Sequence, residues 1–374
     1  MEDTMSAPSP KPYALAIDIG GTKIAAAVVD GDGALLGSAR RPVGTAGAAG
    51  AEIEARAGTE TGAEAGTEVG AGIAAGAEGG TGGGSMLAAA AAAELPGAES
   101  VFAAVRECAE RAMAAAGTGL ADLAGVGCGC AGPMRWPAGE VSPLNIPAWR
   151  AFPLRARLRE LFAGLPVLVH NDGIALAVGE HWRGVGRDVR NLLTVTVSTG
   201  VGGGLILDGR LLHGSSGQAG HVGHVPVETD GPPCPCGGRG CVEAIAAGPR
   251  AVRRALAAGW IPGDDQPADG RALAASAAAG DVIACRELRR AGTAVGAGIA
   301  ASASLLDLDA AVVAGGFAQS GPVFWDALLD GFDRHAGLGF VRRLRILPSA
   351  DPAGAALRGA AAFVLAPGRY GWPD

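Results

Sequence analysis

YALAIDIGGTKIAAAVVD, residues 13–30, is the stretch on which the architecture turns. An apolar run halts at Gly20-Gly21, resumes as IAAAVVD and meets a second turn at Gly31-Asp32-Gly33, the pattern of a β-hairpin. Residues 192–214, LLTVTVSTGVGGGLILDGRLLHG, repeat it. With Ser198 laid on Asp18 and Gly200 on Gly20, the same strand, glycine turn (Thr199 to Gly204) and strand recur. This internal duplication predicts two similar α/β lobes enclosing a cleft, an arrangement suited to phosphoryl transfer.

Around the two hairpins the remaining segments fall into place. Val101, Val105, Cys108 and Ala112 recur at helical spacing and predict a helix over 100–116. GVGCGCAG, ending at Gly132-Pro133, and LPVLVH, leading into Asn171-Asp172, read as strands that deliver residues to the cleft. Beyond Val242 the chain reads as helical over 250–257 and 271–304. A final strand, DAAVVAGG, then meets Gly315-Gly316, and a helix over 353–365 returns to the first lobe. The expected lobes are 11–173 with 351–368, and 174–350. Residues 44–84 break the pattern: they are Ala, Gly, Glu and Thr in loose repetition, lack large apolar side chains, and are predicted to be a disordered insertion.

Composition narrows the function. The 374 residues suffice for about two domains, and 49% hydrophobic content allows a sizeable core. Thirty basic against 37 acidic residues give a net charge of −7, without the basic footprint of a nucleic-acid binder. No apolar run approaches the roughly 20 residues of a membrane span, and MEDTMSAPSPKP has no signal-peptide core, so a cytoplasmic protein without membrane partners is expected. Rare residues are informative in this Ala- and Gly-rich chain, which has two lysines (Lys11, Lys23) and three asparagines (Asn145, Asn171, Asn191).

Both glycine turns expose backbone N–H groups in the manner of phosphate-binding loops. DIGGTK (Asp18 to Lys23) adds a carboxylate, a hydroxyl and a lysine; STGVGGG (Ser198 to Gly204) adds hydroxyls without charge; Gly315-Gly316 makes a third glycine pair. Asp172, after the strand VLVHN, is the candidate general base, the alternative being that Asn171 and Asp172 merely cap the helix starting near Gly173. His224, Cys234, Cys236 and Cys241 form H-x9-C-x-C-x4-C, which fills a tetrahedral zinc and leaves no open position. Such a zinc is structural and would fix the loop carrying His221 and Glu243. Cys108, Cys128, Cys130 and Cys285 read as core residues.

Together these segments resemble the ROK family of sugar kinases and related repressors, which share the actin-like, hexokinase-like ATPase fold. The resemblance runs from about Tyr13 to Leu365, apart from the insertion and a loop near 259–270. Its most specific part is GQAGHVGH (217–224) followed by CPCGGRGCVE (234–243). It implies ATP with Mg²⁺ at Asp18, Gly20, Gly21, Thr22 and Lys23 and at Thr199, Gly200 and Gly202, with adenosine near Gly315 and Gly316. It implies sugar contacts from Asn171, Asp172, His221, His224 and Glu243, from Gly132 and Asn145 in AGPMRWPAGEVSPLNIPAW, structural Zn²⁺, and a homodimer. Most family kinases have glutamate where this chain has His221; bacterial N-acetylmannosamine kinases resemble it in having histidine, in TVSTGVGGG and in GCVEAIA. A neutral imidazole offers one donor, suited to an acetamido carbonyl, so phosphorylation of N-acetylmannosamine at its 6-hydroxyl is expected, with glucokinase as the alternative. A polyphosphate donor would suit the same turns. A sugar-responsive repressor is the rival class, disfavoured by the acidic charge and the short stretch before the first strand.

Overall fold

The alternation in YALAIDI sets up the layers. Leu15, Ile17 and Ile19 point to one face of the strand, Ala14, Ala16 and Asp18 to the other. The protein is described here by a computed structural model over residues 13–43, 97–263 and 266–372, so the insertion read over 44–84 lies outside the described residues. Its strands are β1 (Tyr13–Ile19), β2 (Lys23–Asp30), β3 (Leu35–Pro42), β4 (Leu123–Cys130), β5 (Met134–Arg135), β6 (Glu140–Val141), β7 (Val167–Asn171), β8 (Leu192–Val197), β9 (Val201–Leu207), β10 (Arg210–Leu211), β11 (Ala310–Ala314) and β12 (Arg345–Pro348). The helices are α1 (Ala98–Ala116), α2 (Leu154–Leu161), α3 (Asp172–Arg183), α4 (Val242–Ala246), α5 (Gly248–Ala257), α6 (Gly270–Ala278), α7 (Val282–Leu306), α8 (Pro322–His335), α9 (Pro352–Leu365) and α10 (Pro367–Tyr370).

Two five-stranded sheets result, β3-β2-β1-β4-β7 and β10-β9-β8-β11-β12. In each, the first three strands in sequence pair antiparallel and the last two add in parallel, so the duplication read from the hairpins extends to whole sheets. β3 and the parallel edge strand β12 had no sequence reading, while the single strand read through LILDGRLLHG divides at Asp208-Gly209 into β9 and β10. β12 is short and its residues are no more than half-buried, so no apolar run marks it.

The large side chains of β1 and β2 pack beneath α1, in a core with Val101, Phe102, Val105 and Cys108. Leu193, Val195 and Val197 of β8 face a core with α5, α6 and α7. Between the sheets lies a third core, in which Ala14, Ala16, Ala25 and Ala27 meet α3 and α9, while Leu192, Ile206 and Val312 of the second sheet meet the same helices. The order is therefore helix, sheet, helix pair, sheet, helices.

The middle helices approach closely because small residues meet at their crossing. A Cβ at Gly179 of α3 would overlap the Ala355 carbonyl of α9, one at Gly359 the Ala175 carbonyl, and one at Gly127 of β4 the Ala360 carbonyl. The two helices thus cross backbone to backbone. In an isolated helix, Gly→Ala gains up to about 1 kcal/mol; in this crossing overpacking reverses the sign. Gly179→Ala should lose about 1–3 kcal/mol of stability, read from the denaturant midpoint at unchanged m. A neutral or stabilising result would contradict the backbone contact.

Candidate active site

Three glycine turns follow the C-terminal ends of β1, β8 and β11. In the first, the Gly20 N–H donates to the Lys23 carbonyl at 3.0 Å, leaving Thr22 and Lys23 exposed. Asn145 lies against Gly21: a Cβ there would overlap the Asn145 side chain. Asn145 is itself exposed, on a segment anchored by buried Ile146 and Trp149, whose indole N–H donates to the Ala98 carbonyl at 3.1 Å. In the second turn the Ser198 N–H donates to the Gly200 carbonyl at 2.9 Å, Thr199 is exposed, and open space surrounds the Cβ direction of Gly202. The turn is shorter than read from sequence. Gly202, Gly203 and Gly204 belong to β9, because α3 presses on that strand, and a Cβ at Gly204 would lie 2.7 Å from Ala177 Cβ. The third turn needs glycine at Gly315, whose φ is 101° and whose Cβ would overlap the Val197 carbonyl at the end of β8; Gly316 beside it faces open space.

Asn171 and Asp172 sit where β7 becomes α3. Asn171 is the helix cap, its Oδ1 accepting the Gly173 N–H at 3.0 Å, and Asp172, the first helical residue, accepts the same N–H through its Oδ1 at 2.8 Å. Gly132 packs against the Asn171 amide, with a Cβ there 3.0 Å from Nδ2. Asp18 and Asp172 flank Gly129, where a Cβ would lie 3.7 Å from Asp18 Oδ1 and 3.5 Å from Asp172 Cα. Burial, then the neighbouring Asp172 carboxylate, push the Asp18 pKa up to about 7 against the pull of Lys23 and Arg40. Burial also raises Asp172, opposed by the Gly173 N–H and by nearby His221.

The loop after β10 completes the site. His221 Nδ1 lies 2.9 Å from the Gln218 carbonyl. A carbonyl only accepts, so Nδ1 carries the proton, and burial lowers the imidazole pKa and keeps the ring neutral. Nε2 is then a bare acceptor. The donor that sequence reasoning reserved for an acetamido carbonyl is engaged by Gln218, and that part of the expectation is corrected. Glu243 holds the second turn, accepting the Val201 N–H at 2.9 Å through Oε2. Behind it, Arg254 pairs with buried Glu287 at 2.7 Å and donates to the Ile245 carbonyl at 2.7 Å, fixing α4.

His224, Cys234, Cys236 and Cys241 converge, with ligand atoms all within 4.8 Å of one another. The Cys236–Cys241 sulfur separation is 3.8 Å and Cys234 Sγ to His224 Nδ1 is 3.7 Å. A tetrahedron with Zn–S of about 2.3 Å has edges of about 3.75 Å, so the four groups fit zinc. Sequence reasoning missed Gln218, Gly129 and the Arg254–Glu287 pair. Gln218 is visible inside GQAGHVGH, but an ion pair between separate helices leaves no local signal.

A family model for the ROK family matches residues 98–366. The chain belongs to the ROK family. Among ROK proteins it is 44% identical over 128 residues to the glucokinase of Halalkalibacterium halodurans, covering 34% of this chain and 38% of that protein. It is 43% identical over 175 residues to the N-acetylmannosamine kinase of Citrobacter koseri, covering 47% of this chain and 58% of that protein. The matches thus span less than two thirds of either relative. A solved ROK family glucokinase from Streptomyces griseus, in complex with glucose and AMPPNP, superposes with a TM-score of 0.69 at 28% identity over 94% of this chain and 98% of that one. Among the described residues, no helix is long and apolar enough to cross a membrane.

The raised Asp18 pKa makes a stability prediction. Its folded-state pKa of about 7 exceeds the ordinary 3.8, so the folded protein holds the proton more tightly than the unfolded chain. Stability therefore falls as pH rises through that interval. Without nucleotide or Mg²⁺, Asp18→Asn should melt above the wild type near pH ~8, the two curves converging towards pH ~4. A difference that ignores pH would refute the assignment.

Proposed function

We propose that the protein is an ATP-dependent sugar kinase that phosphorylates the 6-hydroxyl of a hexose, with N-acetylmannosamine preferred. The observation carrying this reading is the position of Asp172: a desolvated carboxylate at the start of α3, beside Asp18 and His221, with a glycine turn from each sheet at the same cleft. Its raised pKa makes it a stronger base towards an alcohol than a solvated carboxylate. In the proposed step Asp172 accepts the 6-hydroxyl proton, the sugar oxygen bonds to the γ-phosphorus, and the bond to the β,γ-bridging oxygen breaks to release ADP. Gly20, Gly21, Thr22, Lys23, Thr199, Gly200 and Gly202 hold the phosphates, and Gly315 and Gly316 lie by the adenosine. The relative crystallised with glucose and AMPPNP supports an ATP-type donor.

Mg²⁺ favours one or two carboxylates together with phosphate oxygens, and Asp18 suits it. Zinc at His224, Cys234, Cys236 and Cys241 would lock the loop and supply no open position for reaction. Cys241 precedes α4, so the same ligand sets Glu243 two residues on. His224 Nδ1 faces the cluster, which leaves its Nε2–H for a sugar hydroxyl.

Sugar preference rests on His221. A bare Nε2 accepts a single donor, the N–H of a 2-acetamido group or one hydroxyl, whereas a glutamate takes two hydroxyl donors; the N-acetylmannosamine kinase relative favours the acetamido sugar. Glucokinase is the second reading, favoured by the glucokinase relative.

A panel of hexoses and amino sugars tests the proposal. Asp172→Asn should lower kcat at least about 10²-fold with nucleotide binding kept. His221→Glu should shift kcat/KM towards glucose about tenfold, or about 1.4 kcal/mol. Wild-type preference for glucose would overturn the N-acetylmannosamine assignment, and activity of Asp172→Asn within a few-fold of wild type would overturn the base. Metal analysis is the independent check: about one zinc per chain is expected, lost in Cys236→Ser together with sugar binding. Fully active zinc-free protein would remove the metal from the site.

A further inference from the structure

Immediately before Asn171 stands His170, only 1% exposed. Its Nδ1 accepts the Asn171 N–H at 3.0 Å, and its Nε2 lies 3.2 Å from His213 Nδ1. His213 Nε2 lies 2.9 Å from the Gly371 carbonyl. Backbone groups at both ends dictate every proton in the chain. Gly371 can only accept, so His213 carries its proton on Nε2 and offers Nδ1 as a lone pair. His170 must then carry its proton on Nε2, which leaves Nδ1 to accept the Asn171 N–H.

The relay spans the molecule. His170 is on β7, the edge of the first sheet; His213 follows β10, held to the second sheet by the Leu212 N–H on the Leu205 carbonyl at 2.9 Å; Gly371 follows α10. Trp136 stacks on both imidazoles, with centroids 6.0 Å from His170 and 5.3 Å from His213. Burial lowers both imidazole pKa values, His170 to about 3, which keeps the lone pairs the relay needs.

We infer that His213 is a positioning residue: through His170 it fixes the Asn171 backbone, so that the second sheet and the C-terminal segment set the geometry of the sugar site. Its consequence for turnover rests on the kinase reading above, but the relay itself does not.

The test combines two readouts on the full chain. Imidazole ¹⁵N NMR of the wild type without ligand should find His170 and His213 neutral and protonated at Nε2; a proton on Nδ1 of either overturns the relay. His213→Phe keeps a flat ring against Trp136 and removes both hydrogen bonds. It should speed Asn171 amide exchange about tenfold and lower sugar kcat/KM about tenfold, with the ATP KM unchanged. His213→Asn, which retains an acceptor near the Nδ1 position, should recover part of both losses. Asn171 exchange and sugar kcat/KM each within twofold of wild type would overturn the positioning role. Should His213→Phe fail to fold, the wild-type tautomers still decide the relay. A wild type that phosphorylates no sugar would sink the kinase reading alone, since tautomers and exchange are measured without substrate.

Discussion

Everything in this molecule leans on the crossing of α3 and α9. Two helices that touch through backbone atoms at Gly179 and Gly359 share one layer, and both sheets pack on that layer. Larger side chains would push the sheets apart and carry their glycine turns away from the start of α3. The abundance of alanine and glycine, easily dismissed as coding bias, thus has a structural use at this crossing. Close approach forfeits side-chain area but gains dense contact between rigid elements.

Against that frame the chemistry is a problem of charge. β1 alternation puts Asp18 on the alanine face, and the β7–α3 junction brings Asp172 beside the same glycine. Burial raises both carboxyl pKa values, and the Asp172 carboxylate adds its repulsion at Asp18. On the proposed reading, a divalent cation and an incoming hydroxyl relieve that conflict. The neutral second turn then complements the first, whose lysine supplies the positive charge.

Much of this was legible in the sequence, and for identifiable reasons. Both hairpins were visible because strand, glycine turn and strand are contiguous, and the His–Cys cluster was visible because three cysteines crowd into eight residues in a chain with seven. Asn145 against Gly21 and Gly132 against Asn171 bring together residues that sequence had named separately. What escaped has no local periodicity: the edge strand β12, the Arg254–Glu287 pair, and the His170–His213 contact across 43 positions. The His221 error was of a different kind. Residue type disclosed that an imidazole has one donor, but only the position of the Gln218 carbonyl determines where that donor points.

The place of α9 in the chain has a bearing on how the protein is made. β1, β2 and β4 are synthesised early, yet their inner face is covered by a helix formed from residues 352–365. Local contacts form as the chain emerges, but this one must wait for most of the polypeptide to be translated. During that interval the first sheet presents a row of alanines instead of leucines or isoleucines. The small residues that let two helices touch therefore also leave less apolar area on that waiting surface than leucines or isoleucines would.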